Sequence, residues 1–164
     1  MIALIAIVFI LFIMIWPRLF NYAEYWPTPI KKARKMLKFA GLKKGEVFYD
    51  LGCGDGRFVV LADREFKADA IGIEIDPFRF LIAKLATIMI GSSSTIKFGN
   101  YLNYSLNDAD VIALFLKPKP MKELESELRN LKKGTRIVSY MWKFPDLKPS
   151  KVDEREQIYL YTIR

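Results

Sequence analysis

Sixteen apolar residues, Met1 to Trp16 (MIALIAIVFILFIMIW), open the chain, and the pattern then changes. As a helix, that run would span about 24 Å, short of a bilayer core of roughly 30 Å. Leu19 and Phe20 lengthen it, and Arg18 can reach outward with its head group. Further along, apolar residues come in short bursts separated by polar and glycine-containing turns. Bursts of strand length and composition fall at 46–50, 70–75, 94–98, 110–116, 135–141 and 157–163. Helical spacing marks 30–40, 56–66, 77–90 and 119–131. In the first of these, Ile30, Ala33, Leu37 and Ala40 share a face, Thr28 reads as the N-cap, Pro29 as the first helical residue and Gly41 as the stop.

Strands alternating with helices predict an α/β domain, a mostly parallel sheet with helices on both faces. The last strand follows the polar turn Asp153-Glu154-Arg155-Glu156, which predicts a terminal antiparallel hairpin and a mixed sheet. The 77–90 helix departs from the pattern. Phe78, Leu81, Ile82, Leu85, Ile88 and Met89 suffice for a core stripe, yet Phe80, Ala83 and Ile90 add apolar surface beyond it. Either another element covers its outer face or that face touches lipid. Asp76, before Pro77, reads as its N-cap.

Charge divides the chain in three. Residues 1–20 read as a membrane anchor, 21–45 as an aromatic linker and basic helix, and 46–164 as the core domain. The net charge is +8, and residues 1–17 contribute nothing to it. Trp16, Tyr22, Tyr25 and Trp26 cluster where an interfacial aromatic belt would lie. A cleaved signal would need a basic start and a small-residue cleavage site, and neither is present. Arg18, Lys31, Lys32, Arg34, Lys35, Lys38, Lys43 and Lys44 follow the apolar run with only Glu24 among them. The expectation is a single-pass N-terminal anchor with the domain in the cytoplasm, and a lysine-rich helix facing anionic lipid. There is no histidine and one cysteine, Cys53, so a disulfide framework and a metal site are not expected, and the commonest general base is missing.

Chemistry concentrates in Asp50-Leu51-Gly52-Cys53-Gly54-Asp55-Gly56-Arg57, between a strand and a helix. A second strand then ends on Glu74. Strand, glycine turn, helix, strand, acid is the layout of a nucleoside-cofactor site, the acid accepting from ribose hydroxyls. A dinucleotide site would read G-x-G-x-x-G, but here the glycines fall at 52, 54 and 56 with arginine at 57. Asp50 and Asp55 flank the turn and would repel a pyrophosphate. They suit a cofactor bearing an ammonium and a sulfonium, which is S-adenosylmethionine. The residues match motif I of the class I methyltransferases, and Gly72-Ile73-Glu74-Ile75-Asp76 looks like their next motif.

From about residue 24 to the end, the chain resembles the archaeal protein-lysine methyltransferases and their mitochondrial relatives that act on membrane proteins. The marks are Pro27-Thr28-Pro29, Tyr49 to Arg57, Gly72 to Asp76, Gly99-Asn100, Ala109-Asp110-Val111, Gly134-Thr135-Arg136-Ile137-Val138-Ser139 and Tyr159-Leu160-Tyr161. The resemblance implies a Rossmann-like class I methyltransferase sheet. It places Asp50, Gly52, Gly54, Asp55 and Gly56 around the methionine moiety, Glu74 on the ribose, Asn100 near the adenine, and Thr28 and Pro29 over the methionine end. Tyr25, Trp26, Tyr140 and Trp142 are candidate walls for the acceptor, and no catalytic residue is assigned.

The expected reaction is methylation of lysine ε-amines on a membrane-associated protein. The alternatives are a phospholipid head group, another small molecule or RNA, or a silent S-adenosylmethionine-binding scaffold. After the fourth strand the chain reads Phe115-Leu116-Lys117-Pro118 in place of the Asp/Asn-Pro-Pro-aromatic tetrad of base and glutamine methyltransferases. That argues against DNA, and with no room for a separate binding module a nucleic-acid partner is not expected. Oligomeric state is not legible.

Overall fold

The computed structural model describes residues 26–164. The expected anchor, the linker up to residue 25 and Tyr25 lie outside the described residues. Among those described, no helix is long and apolar enough to cross a membrane.

Seven strands form one sheet: β1 (Val47–Leu51), β2 (Asp69–Glu74), β3 (Thr95–Phe98), β4 (Val111–Leu114), β5 (Arg136–Tyr140), β6 (Lys151–Asp153) and β7 (Ile158–Thr162). Their order is β3-β2-β1-β4-β5-β7-β6. The first five are parallel, and β7 runs antiparallel between β5 and β6. This is the Rossmann-like sheet with a terminal antiparallel hairpin. Strand β6 escaped the sequence reading because it is a three-residue edge strand with charged ends, too short to show alternation.

Alternation along the strands sorts the core into two halves. Phe48, Val111, Val138 and Ile158 point to one face, with helices α1 (Ile30–Ala40), α2 (Arg57–Phe66) and α3 (Pro77–Ile90). Tyr49, Ile112, Ile137 and Tyr161 point to the other, where α4 (Pro118–Arg129) packs through Met121, Leu124 and Leu128. Helices therefore cover both faces. The direction of sheet growth reverses between β1 and β4, and in such sheets ligands bind beyond the strand ends at that point.

α1 corrects two expectations. Pro29 occupies the N-cap position, the helix starts at Ile30, and no side chain caps it. Thr28 is buried ahead of it rather than capping. The helix buries Ala33, Met36, Leu37 and Ala40, while Ile30 is exposed. Part of the basic face is engaged within the protein. Lys32 pairs with Glu156, Arg34 with Glu65 at 2.6 Å, and Lys35 with Asp153 at 3.0 Å and Glu156 at 3.1 Å. These pairs dock α1 onto α2 and onto the β6–β7 turn.

Arg136 fastens the opposite end. It pairs with Glu46 at 2.7 Å and donates to the carbonyls of Ala40 at 2.9 Å and Gly41 at 2.7 Å, where α1 ends. Beside it, Thr135 is buried and donates to the Ala109 carbonyl at 2.9 Å. The Gly-Thr-Arg stretch that helped identify the chain is therefore a structural clamp at the N-terminal ends of the strands.

Candidate active site

The glycine turn leaves β1 at the switch point. Gly52, Gly54 and Gly56 all have positive φ, at 84°, 58° and 78°. That alternation needs glycine, since a Cβ is strained in the left-handed region. Its result is a turn folded on itself. Gly52 and Cys53 donate their N–H groups to the Ile73 carbonyl at 2.9 and 3.1 Å. Gly54 donates to Glu74 Oε2 at 2.8 Å, Gly56 to the Cys53 carbonyl at 2.9 Å, and Arg57 to Asp55 Oδ1 at 3.2 Å. With these amides committed inside the protein, most of the turn's N–H groups are withdrawn from any pyrophosphate. The turn offers carboxylate.

Two glycines have other work than clearing space for a ligand. A Cβ on Gly56 would come within 3.0 Å of the Ala83 Cβ, so this glycine lets α3 lie against the start of α2. A Cβ on Gly72 would meet Cys53 Sγ at 2.7 Å and Val59 Cγ2 at 2.8 Å, so β2 needs glycine to pass beneath the turn. The sequence held no direct sign of either contact. Cys53 is buried there, and burial pushes its thiol up, which makes it inert as a nucleophile.

The three acids differ. Asp55 accepts from Arg57 Nε at 2.8 and 2.9 Å and forms an ion pair with that guanidinium. Glu74 is buried, with Oε2 on Gly54 N–H and Oε1 on Asp76 N–H at 2.9 Å. Each of its oxygens keeps a lone pair for a further donor. Burial raises its pKa, and these two amides oppose the rise. Asp50 is different again. It is buried at the end of β1, and no hydrogen-bond donor among the described residues reaches its carboxylate. Burial, with Glu74 and Asp55 adding repulsion, pushes it up to about 8. An orphaned buried carboxylate is costly unless a cation meets it. The ammonium of S-adenosylmethionine is such a cation, and the neighbouring Glu74 suits its ribose, so the residues fit this cofactor.

The remaining candidates divide. Asn100 stands beside the end of β2, because Phe98 is in register with Glu74 and Gly99 N–H donates to the Glu74 carbonyl at 2.8 Å. Its side chain also caps the single 3-10 turn Tyr101–Asn103, accepting from Leu102 N–H at 3.0 Å. The Thr28 hydroxyl is buried with no partner among the described residues. Tyr140, at the end of β5, packs on Phe115 at 4.9 Å, and Lys32 Nζ sits 5.0 Å over its ring. Phe115, just past β4, joins Tyr140 as a candidate wall residue that the sequence reading passed over. Its sign was available, since it directly follows a strand ending at the switch point. Trp26 and Trp142 are exposed and make no ring contact with Tyr140 among the described residues. Trp142 is held through its carbonyl, which accepts from buried Ser139 at 2.6 Å. Asp76 caps α3, accepting from Phe78 and Arg79 N–H at 2.9 and 3.0 Å.

Comparison with known proteins agrees with this geometry. Residues 50–151 match the ANTKMT methyltransferase domain. A protein-lysine N-methyltransferase of Saccharolobus islandicus is 35% identical over 154 residues, covering 87% of this chain and 94% of the relative. The mouse adenine nucleotide translocase lysine N-methyltransferase is 29% identical over 70% of this chain, which spans about half, 52%, of that longer protein. Among solved structures, an RNA methyltransferase from Salinibacter ruber in complex with S-adenosyl-L-homocysteine superposes with a TM-score of 0.80. It is 32% identical and covers 84% of this chain and 94% of its own.

Proposed function

Because the chain belongs to the ANTKMT methyltransferase family and so is an S-adenosylmethionine-dependent methyltransferase, we propose that its acceptor is a protein lysine ε-amine, reached from a membrane to which residues 1–20 tether the enzyme. The observation behind the cofactor site is Asp50, a buried carboxylate without a partner among the described residues, beside a turn whose Gly52, Cys53, Gly54 and Gly56 amides are already bonded within the protein. When bound, S-adenosylmethionine supplies a methyl group on a sulfonium, open to in-line attack by a lone pair.

The chain's own residues set up the rest. Asp50 would hold the ammonium, Glu74 the ribose hydroxyls, and Asn100 would border the adenine. Gly52 and Gly54 keep the turn close to the methionine moiety, with Thr28 and Pro29 over its end. Asp55 is held by Arg57, so its part is to shape the turn. A lysine ammonium has no lone pair and must shed its proton before attack. Water-poor surroundings disfavour the charged amine and lower its pKa, and the Lys32 ammonium over Tyr140 would add like-charge repulsion. The paired rings of Phe115 and Tyr140 are such surroundings, and the proton can leave to water without a strong base.

The likeness to a lysine methyltransferase over 94% of that relative's length supports the acceptor, and the uncharged start of the chain supports the tether. The likeness to an RNA methyltransferase and the +8 charge favour one competing reading, an RNA acceptor. Incubating the full-length enzyme and tritiated methyl donor with membranes, lipid extract and total RNA separates them. Methyllysine in hydrolysed membrane protein is expected. Label in RNA or lipid overturns the acceptor, and cofactor binding without label in any fraction marks a silent scaffold.

A further inference from the structure

Helix α3 has more apolar surface than the fold buries. Only Ala83 and Thr87 of its residues are buried, and Ala83 makes the close approach to Gly56. Leu81, Ile82, Leu85, Ile88, Met89 and Ile90 all lie exposed, Ile88 at 68% and Met89 at 85%. Ile75 and Phe98 are also exposed and carry the apolar surface to the C-terminal ends of β2 and β3. Phe98 continues it directly, because its ring packs 5.4 Å from that of Phe80 on α3. A contiguous apolar face of this kind on a soluble protein marks a docking surface.

Charge identifies the occupant. From Pro77 to Asn107 the chain holds no aspartate or glutamate; its cations are Arg79 and Lys84 on α3, and Lys97, which lies over Tyr49 and Tyr104 on the other side of the sheet. Lys84 is exposed among the apolar residues, and Arg64 of α2 reaches the Gly91 carbonyl at 3.1 Å, at the far end of α3. The acids at its two ends are buried and hydrogen-bonded within the protein, Asp76 by the Phe78 and Arg79 amides and Asp63 by Ser92 and Ser93. An apolar helix face margined by cations fits an anionic bilayer surface. The chain outside the described residues points the same way. Its apolar run ends at Trp16, and nine residues, 17–25, then lead to the domain. Such a linker reaches at most about 30 Å, so a tethered domain stays against the bilayer.

We infer that α3 is a membrane-docking helix whose outer face lies in the interface of an anionic bilayer, bringing the ends of β2 and β3, with Glu74, to head-group level. This rests on the membrane attachment proposed above and adds to it a fixed orientation. The acceptor class narrows accordingly, to lysines held close to the lipid surface.

The test uses full-length protein in phosphatidylcholine–phosphatidylglycerol vesicles, with the environment-sensitive fluorophore NBD on Met89→Cys, on Ile82→Cys and, on the opposite face, on Lys122→Cys. The parent chain, whose one cysteine is buried, is the labelling control. Expected are blue-shifted emission and quenching by doxyl-labelled lipid at 82 and 89, with neither at 122. A probe at 89 that stays in water while the chain floats with the vesicles overturns the docking and leaves the tether standing. A blue shift without quenching by doxyl lipid means a protein cover, either a second copy or residues 1–16, and also overturns it. A chain that does not float removes tether and docking together. In parallel, Ile88→Glu with Met89→Glu is expected to keep the rate on a soluble lysine peptide within twofold. The same variant should cut the rate on a vesicle-embedded lysine peptide at least fivefold, and equal rates on both would refute the inference.

Discussion

Asp50 is the residue on which the proposed cofactor contact and stability meet. Its carboxyl titrates near the ordinary 3.8 when unfolded and at about 8 when folded and ligand-free. The folded state therefore holds a proton that the unfolded state has lost. The stability this group contributes is full below about pH 4 and is lost as pH rises through about 8. The melting temperature of the ligand-free enzyme should fall between pH 6 and 9, and Asp50→Asn should flatten that slope. A cationic ligand needs the charged form, so S-adenosylmethionine affinity should climb from pH 6 to 7.5, approaching tenfold per pH unit. Calorimetry on Asp50→Asn should find weak, pH-independent binding. Glu74→Ala removes a charged acceptor from the ribose, worth ~1.5–3 kcal/mol, or roughly 10- to 100-fold in affinity. It also orphans the Gly54 and Asp76 amides, so the melting temperature should drop as well. The spacing of the acids was legible in the sequence, because strand, turn and strand bring them together locally. That Arg57 neutralises Asp55 and leaves Asp50 unpaired was not, because it depends on where side chains turn after folding.

Among elements, the joints decide stability. Gly56→Ala forces a left-handed residue, at roughly 1–2 kcal/mol, and crowds Ala83. For a chain of this size that predicts a melting point lower by about 2–8 °C and a weakened cofactor site. Arg136→Ala should lower it by a similar amount, through loss of the Glu46 pair and of both carbonyl contacts at the end of α1, with cofactor affinity little changed. A thermal melt beside a binding isotherm checks both variants. The elements themselves were readable: ten of the eleven were placed from periodicity, and the miss was β6. The buried side of α1 was harder. Ile30 fits the helical stripe but is exposed in the first turn, and Met36 is buried instead.

For the whole molecule, the expected outcome is retention in membranes after high-salt and alkaline washes, with a reporter at Arg164 active in the cytoplasm. Deleting residues 1–20 should spare methylation of soluble peptides and sharply reduce it on a membrane target, since tethering raises effective concentration. Equal rates on the membrane target would count against the tether. The amino-acid sequence by itself determined the order of all strands and helices but β6, the cofactor, and the acids proposed to face it. Those follow from spacing along short stretches, where period and turn chemistry act directly. Tertiary structure alone decided that Lys32, Arg34 and Lys35 of α1 meet acids of α2 and the β6–β7 turn, since Lys32 and Glu156 stand 124 positions apart. It also decided that Gly56 and Gly72 serve packing, and that the outer apolar face of α3 stays exposed among the described residues. Each of these turns on a neighbour remote in the chain, and local pattern holds no information about which surfaces folding will bring together.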